Sequence, residues 1–464
     1  MREYKLPEWK YSVETTKALS GKKIYSERFR HDYFVLLGTR KGLKSKCKTF
    51  LFSIVVYFNH LRHILVRQLV KTKNVSLDFK YNFFVENNPS YLRAVIPVAE
   101  RLLQNGEGVI IICPANHYNR LKRSLKPELG NLLFVLEDAK IANSKFKAFG
   151  LIFTAVFKSV LDCFWFMSQP VLGRFFFATD YMKFGLSHYC YSNYWQKYFN
   201  EKKRYFLAAN ELQYSESLLF AACRDTISQS IILSHGRESE ISYPIFAKKR
   251  FTWGKYDVDM IVNDFGANVS EIEALGSPYF DKIYYEIEAK KTHISGKMSE
   301  YIIFYCQPNY KARSLNTGEY DQVLSWFYSL SHKIPSKKFM LKLHPFDDLA
   351  YYKNAPQNIE VSRENILESL GKCFLMHTVD SNAMLEAAVF GIPVIQCIPS
   401  GSTISYDFSS SGISVRASTQ EEFDKFCIRF CEDKDFYNEM IHKSKLALPE
   451  YFSNLGHSLD TSIF

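Results

Sequence analysis

The sequence predicts an α/β protein in which two parallel-sheet halves face each other across a cleft, behind a basic N-terminal arm. Three observations predict it. From about residue 81 short apolar strands alternate with helical segments, the pattern of a parallel sheet covered on both faces. A turn-rich crossing, Ala274-Leu-Gly-Ser-Pro-Tyr-Phe-Asp281, separates that series from a second one of the same kind. Finally, residues 1–75 hold 17 Lys and Arg against 5 Asp and Glu, while the rest of the chain holds 42 against 43, so the net charge of +11 belongs to the arm.

The expected division is an arm over 1–75, a first domain over 76–275 with an aromatic insertion at 149–186, and a second domain over 276–464. A chain of 464 residues that is 47% apolar and 23% charged is neither disordered nor collagen-like, and it has room for two or three cores. The 39 Phe and 30 Tyr are in surplus, which suits carbohydrate stacking, a membrane-facing surface or an AT-rich genome.

Within the arm, Phe50–Phe58 is an apolar run broken only by Ser53. It leads into Leu61, Ile64, Leu65 and Leu69 at helical spacing, with Arg62, Arg67 and Lys71 beside them. Nine residues are too few to span a bilayer. The pattern instead suits an anionic membrane surface, with lipid favoured over nucleic acid as the partner, or equally a helix docked on the protein's own core with a solvated basic face. The first residues are polar and charged, so no signal peptide is expected. The ten cysteines lie singly in apolar stretches, without disulfide or zinc spacing.

In the first series the strands are Tyr81–Val85, Gly108–Cys113 and Leu132–Leu136, with a helix over Tyr91–Gln104. Reactive groups in open α/β sheets sit just past the carboxyl ends of strands. Those positions hold Glu86, His117 and the pair Glu137-Asp138. The stretch 149–186 reads as a helical hairpin, buried or interfacial with burial favoured; Lys158 and Asp162, four apart, share one face, and Pro170 with Gly173 interrupts it. A helix around Glu216–Arg224 and the strand Ser230–Ser234 follow, the latter ending at His235-Gly236.

The second series has strands Tyr301–Cys306, Phe339–Leu343, Cys373–Met376 and Val394–Cys397, with helices from Gln420 to the end. Phe339–Leu343 runs into His344-Pro345, and proline ends the strand so that the imidazole stands at its carboxyl end. There it can donate to a phosphate oxygen or protonate a leaving group. The strand ending at Met376 is followed by His377-Thr-Val-Asp-Ser381-Asn382 and the run Ala383–Phe390 before Gly391. Asp380 or Ser381 suits the N-cap of that helix and Gly391 its C-cap. The helix N-terminus offers amides and a positive dipole end to a phosphate, with the Ser381 hydroxyl beside them. Glu386 lies one turn below Asn382 on the same face, a distance that suits ribose hydroxyls.

Taken in order, SHG at 234–236, GSPYFD at 276–281, YCQP at 305–308, KLHP at 342–345 and DSNAMLEAAVFGIPVI at 380–395 resemble nucleotide-sugar glycosyltransferases of the GT-B type. The likeness is to bacterial capsule and surface-polysaccharide enzymes: sialyl- and polysialyltransferases, Kdo transferases and teichoic-acid glycerophosphotransferases. It covers roughly residues 81–440 and implies two Rossmann-like domains. It gives His344 and Ser381 the donor phosphate, with Pro345, Asn382, Glu386 and Gln307 in the same nucleotide site. Sialyltransferases carry an acidic pair before glycine whose carboxylate deprotonates the acceptor. Glu137-Asp138-Ala139 is similar with Ala in place of Gly, which makes Asp138 a candidate base; Glu86 and His235 suit the same role.

The implied activity is transfer of a sugar, with a CMP-linked acidic sugar such as sialic acid or Kdo favoured, to a glycan or glycolipid. The implied place is the cytoplasmic face of the inner membrane, with no metal, no cofactor beyond the nucleotide-sugar donor and no nucleic acid. The alternatives are a UDP-GlcNAc 2-epimerase-like enzyme, a CDP-glycerol-type glycerophosphotransferase, or a non-catalytic assembly protein on the same scaffold. The epimerases place two glycines after the equivalent serine, where this chain has Asn382-Ala383.

Overall fold

The computed structural model describes residues 43–69, 78–168, 174–210, 214–238, 247–264, 266–291, 300–307, 317–344, 347–402 and 406–460. The chain forms two compact units. One runs to Trp253 and includes Asp257–Ala274; the other takes Gly254–Tyr256 and everything from Leu275 on.

The first unit is built on a seven-stranded sheet of order β3-β2-β1-β4-β5-β6-β7, every pair parallel. Its strands are β1 (Tyr81–Phe84), β2 (Val109–Cys113), β3 (Leu133–Val135), β4 (Tyr205–Ala208), β5 (Gln229–Leu233), β6 (Lys249–Thr252) and β7 (Ile272–Ala274). The central strands are buried on both faces, which is why β2 reads as the unbroken apolar run VIIIC. The helices that bear on the site are α1 (Leu43–Leu69), α2 (Pro89–Gln104), α3 (Ala115–Ser124), α4 (Lys145–Ser168), α5 (Arg174–Glu201) and α6 (Tyr214–Arg224). Asn88 caps α2 by accepting from Ser90 N–H at 3.0 Å, and Pro89 stands at its first position.

Residues 1–42 of the expected arm lie outside the described residues. Residues 70–75 of it do too, and residues 43–69 are α1, which belongs to the first unit: Tyr57, Ile64 and Gln68 are buried, and α1 packs on α4 and α5. The Gln68 amide donates to the carbonyls of Glu137 (3.0 Å) and Ala139 (2.8 Å) and accepts from Ile141 N–H (3.2 Å), stitching α1 to the segment after β3. The expected hairpin is present as α4 and α5 but is longer than 149–186, and it spends aromatic side chains on the core. Trp195 packs edge-on against Phe134, and the Phe199 ring meets that of Phe206 at a tilt. Burial was the favoured expectation for the hairpin, yet α4 keeps one face exposed.

The second unit has six parallel strands in the order β10-β9-β8-β11-β12-β13. They are β8 (Tyr301–Tyr305), β9 (Lys338–Lys342), β10 (Ile359–Ser362), β11 (Cys373–Thr378), β12 (Val394–Cys397) and β13 (Val415–Ala417). Around them lie α7 (Pro278–Lys291), α8 (Thr317–Lys333), α9 (Ile366–Leu370), α10 (Ala383–Phe390), α11 (Gln420–Glu432) and α12 (Lys434–Tyr451). The GSPYFD crossing is a fastening for the C-terminal residues. Gly276 has φ +103° and lies so close to Ser453 that a Cβ would overlap its carbonyl oxygen, so only glycine fits. The Asp281 carboxylate accepts from the amides of Gly456 (2.7 Å) and Ser458 (2.8 Å) and from the Ser458 hydroxyl.

Candidate functional site

In each sheet the strand order reverses beside its first strand, between β1 and β4 and between β8 and β11. The carboxyl ends of those strands therefore flank the crevice where open α/β sheets bind ligands.

In the first unit the register pairs Phe84 with Ala208 and Ala208 with Ile232. Two residues further along these strands stand Glu86, Asn210 and Ser234, side by side at the crevice, with His235 next. Burial raises the Glu86 carboxyl to a pKa of about 7, because the charged form loses hydration with no compensating partner among the described residues. His117 accepts the Asn87 N–H at Nδ1 (2.9 Å), so its ring is held neutral in the Nε2-protonated tautomer, and burial lowers its pKa. The Nδ1 of His235 lies 2.7 Å from the Ala209 carbonyl and donates to it. Its ring meets that of Tyr91 at 4.6 Å, and the Tyr91 hydroxyl accepts from the Asn210 amide at 2.6 Å. Asn210 escapes the sequence reading because β4 does; its signal is the short run Tyr205–Ala208 followed two residues later by an Asn, while Tyr91 reads only as the start of a helix.

Asp138 stands elsewhere. It follows β3, the edge strand two places from the crevice, and it is ion-paired with Arg67 of α1. Glu137 beside it is buried, accepts the Ala115 N–H at 3.0 Å, and has its pKa pushed up to about 7 by burial. The Tyr191 hydroxyl of α5 donates to the Glu137 carbonyl at 3.2 Å. The acidic pair thus ties α1 and α5 to the sheet. Of the three candidate bases, the structure brings Glu86 and His235 to the crevice and leaves Asp138 outside it.

In the second unit the register pairs Tyr305 with Lys342, and Thr378 of β11 donates to the Tyr305 carbonyl at 2.9 Å. Two residues past each strand stand Gln307, His344 and Asp380. Gln307 bridges the crevice: its Nε2 donates to the Asp380 carbonyl and its Oε1 accepts the Asp380 N–H at 3.1 Å. Tyr320 accepts the Gln307 N–H at 3.0 Å, so both ends of this residue are fixed. The His344 N–H donates to Asp347 at 2.8 Å, and burial raises the pKa of that carboxyl. Pro345 lies outside the described residues.

α10 spans the expected run, Ala383–Phe390, but neither Asp380 nor Ser381 is its N-cap. Asn382 occupies the N-cap without a side-chain bond, while the Ser381 hydroxyl accepts the Ala383 N–H at 3.2 Å. The backbone amides of Ser381 and Asn382 have no acceptor among the described residues. That is the arrangement an anion needs at a helix N-terminus. Gly391 ends the helix in the left-handed conformation, as its position suggests. Glu386 is buried and accepts from the Tyr279 hydroxyl at 2.7 Å, which joins α10 to the start of α7. His377 is a core residue: it is fully buried, its ring lies 3.3 Å from Cys427 Sγ and edge-on to Phe423, and burial lowers its pKa to about 3.

Asp257-Val258-Asp259 has the spacing of a metal-binding Asp-x-Asp. Asp257, however, is buried in an ion pair with Arg237 at 2.7 Å. Among the described residues no group of three or more His, Cys, Asp or Glu is placed to hold a metal ion.

No protein-family model matches the sequence, and no curated protein is similar to it. Solved structures are. The S. aureus MnaA-UDP co-structure superimposes with a TM-score of 0.50 at 13% identity, over 82% of this chain and 94% of that one. UDP-GlcNAc 2-epimerase from Neisseria meningitidis bound to UDP-GlcNAc gives 0.49 at 12% identity, over 82% and 96%. A glycosyltransferase from Rickettsia africae gives 0.47 at 12%, over 83% and 97%. At such identity the likeness speaks for the fold: the chain has the two parallel-sheet α/β domains of the GT-B architecture.

Proposed function

We propose that the protein is a nucleotide-sugar-dependent glycosyltransferase whose two sheets divide the work. The observation that supports this most is the contrast between the two crevices. The first holds a carboxyl poised near pH 7 and a histidine; the second holds uncapped helix amides, an amide lock and a histidine. In this reading the acceptor hydroxyl gives its proton to Glu86, or to His235, as its oxygen bonds to the anomeric carbon. The bond from that carbon to the donor phosphate breaks, and the electron pair leaves with the nucleotide. His344, Ser381, the N-terminus of α10 and Gln307 would meet that growing charge.

The fold supports an epimerase equally. What favours transfer is the absence of the paired glycines after Ser381, together with a base on the first sheet that has no need of the donor's own sugar carbons. The donor favoured within this reading is a CMP-linked acidic sugar, and the acceptor a surface glycan or glycolipid at the cytoplasmic face of a membrane.

The test is a thermal-shift screen with CMP, UDP, CDP and GDP, followed by nucleotide release assayed with and without added glycan acceptors. A ligand at a hundred times its Kd stabilises the native state by about 2.7 kcal/mol. Stabilisation by one nucleotide and acceptor-dependent release support transfer. Interconversion of a sugar nucleotide without acceptor supports the epimerase, and no stabilisation by any nucleotide contradicts both.

A further inference from the structure

We propose that α4 seats the first unit on an anionic lipid bilayer, lying in the plane of the interface with its aromatic face in the lipid. Phe146, Phe149, Phe153, Phe157, Leu161 and Phe164 are 88, 54, 69, 59, 50 and 70% exposed. Their spacings of three and four residues place them in one continuous stripe along the helix. The opposite face is committed to the protein: Ala148, Ile152, Ala155, Ser159 and Asp162 are buried, and the Tyr57 hydroxyl of α1 is 3.0 Å from that of Ser159. The stripe is therefore not a core face that failed to find its core. Lys145–Trp165 is apolar enough to cross a membrane, yet only 28% of that window is buried, whereas the core helix of a soluble protein is mostly buried. So large an apolar patch marks a contact surface.

Charge complementarity identifies the occupant. Lys145, Lys147 and Lys158 are exposed on the shoulders of the stripe, while the only acid of the helix, Asp162, is buried and accepts from Tyr189. An apolar stripe edged by lysines matches acyl chains beneath anionic headgroups. A second copy of the chain would set the same lysines against one another, because a two-fold contact is self-complementary. α1, packed beside α4, adds exposed Val55, Phe58 and Val66 along with Arg62. The helix lies flat because its inner face is bonded to α1 and α5, which leaves it no lipid-facing second side.

The experiment is flotation of the full chain with vesicles of phosphatidylcholine alone and with phosphatidylglycerol added, alongside light scattering for oligomeric state. The wild type is expected to float with the anionic vesicles and to lose that binding as salt is raised. The Phe153→Glu/Phe157→Glu double variant alters only exposed positions and is expected to keep its melting temperature while its partition coefficient falls at least about tenfold. Lys147→Glu/Lys158→Glu is expected to remove the preference for anionic lipid. Unchanged flotation of the phenylalanine variant would overturn the proposal, as would a wild type that never floats but forms a dimer that this variant breaks. Neither readout involves sugar transfer, so the result stands apart from the proposed enzymatic activity.

Discussion

The edge strand β3 and the central strands β1 and β4 belong to one sheet and both end in acidic or polar groups, yet they do different things with them. At β3, Glu137 and Asp138 are consumed by α1, α3 and α5: one accepts a backbone N–H and the other pairs with Arg67. At β1, no counter-charge among the described residues offsets the desolvation of Glu86, and the pKa of about 7 follows from that. A conspicuous acidic pair is thus a poor guide when its strand lies at the margin, where incoming helices need anchors. A single acid at the strand where the order reverses has a crevice in front of it. The second sheet repeats the reversal with different chemistry, since its central strand ends carry a neutral amide bridge in Gln307 and the start of α10.

The comparison breaks most sharply by substitution at the two acids. Glu86→Gln is expected to lower turnover by about 10²–10⁴-fold with an unchanged melting temperature, because it removes a proton acceptor and little else. Asp138→Asn is expected to leave turnover within a few-fold and to cost stability, since it weakens the tie between α1 and β3. Steady-state kinetics with thermal denaturation on both variants separates the outcomes, and the reverse pattern would return the base to Asp138. Next in size is His344→Ala, for which turnover should fall about a hundredfold while the nucleotide still binds, because a bond to a leaving phosphate strengthens as charge develops.

The pH profile sharpens the comparison further. A base must be deprotonated to act, and burial places the Glu86 pKa above its ordinary value of 4.5, at about 7. The kcat/KM is therefore expected to rise with pH through about 7 on its acid limb, and Glu86→Gln to abolish that limb. An acid limb near 4.5 would mean that the carboxyl is solvated during the reaction. The smallest expected effect on chemistry is that of Gly276→Ala, which touches no reacting group. Its positive φ and the clash with Ser453 predict a loss of about 2–4 kcal/mol in the unfolding of the second unit, measured in urea.

Much of the fold is legible in the sequence, and most of what escapes it lies toward the sheet margins. The strands β1, β2, β5, β8, β9, β11 and β12 announce themselves because a central parallel strand is buried on both faces and must be apolar throughout, and the edge strand β3 shows through its own short apolar run. β6 (KRFT), β7 (IEA), β10 (IEVS) and β13 (VRA) are short or half-exposed strands toward the sheet margins, where polar residues are tolerated and the apolar run disappears. β4 was hidden by the basic residues that precede it. At the site, His344, Ser381 and Gln307 follow from strand ends and caps, which are local signals. Tyr279 with Glu386, and Tyr91 with Asn210, are long-range pairs that only the folded chain brings together. The GSPYFD motif was legible as a motif, but its work of holding residues 453–458 through Gly276 and Asp281 was not.

The claim that the two sheets divide nucleotide binding from proton transfer is tested most directly by titrating the nucleotide that stabilises the wild type into Glu86→Gln and Gln307→Ala by calorimetry. The account predicts a Kd within about twofold of wild type for Glu86→Gln, despite its lost turnover, and at least tenfold weaker binding for Gln307→Ala, whose amide bridge fixes the ends of β8 and β11. Equal weakening in both variants, or weakening in Glu86→Gln alone, would place the nucleotide on the first sheet and contradict the account.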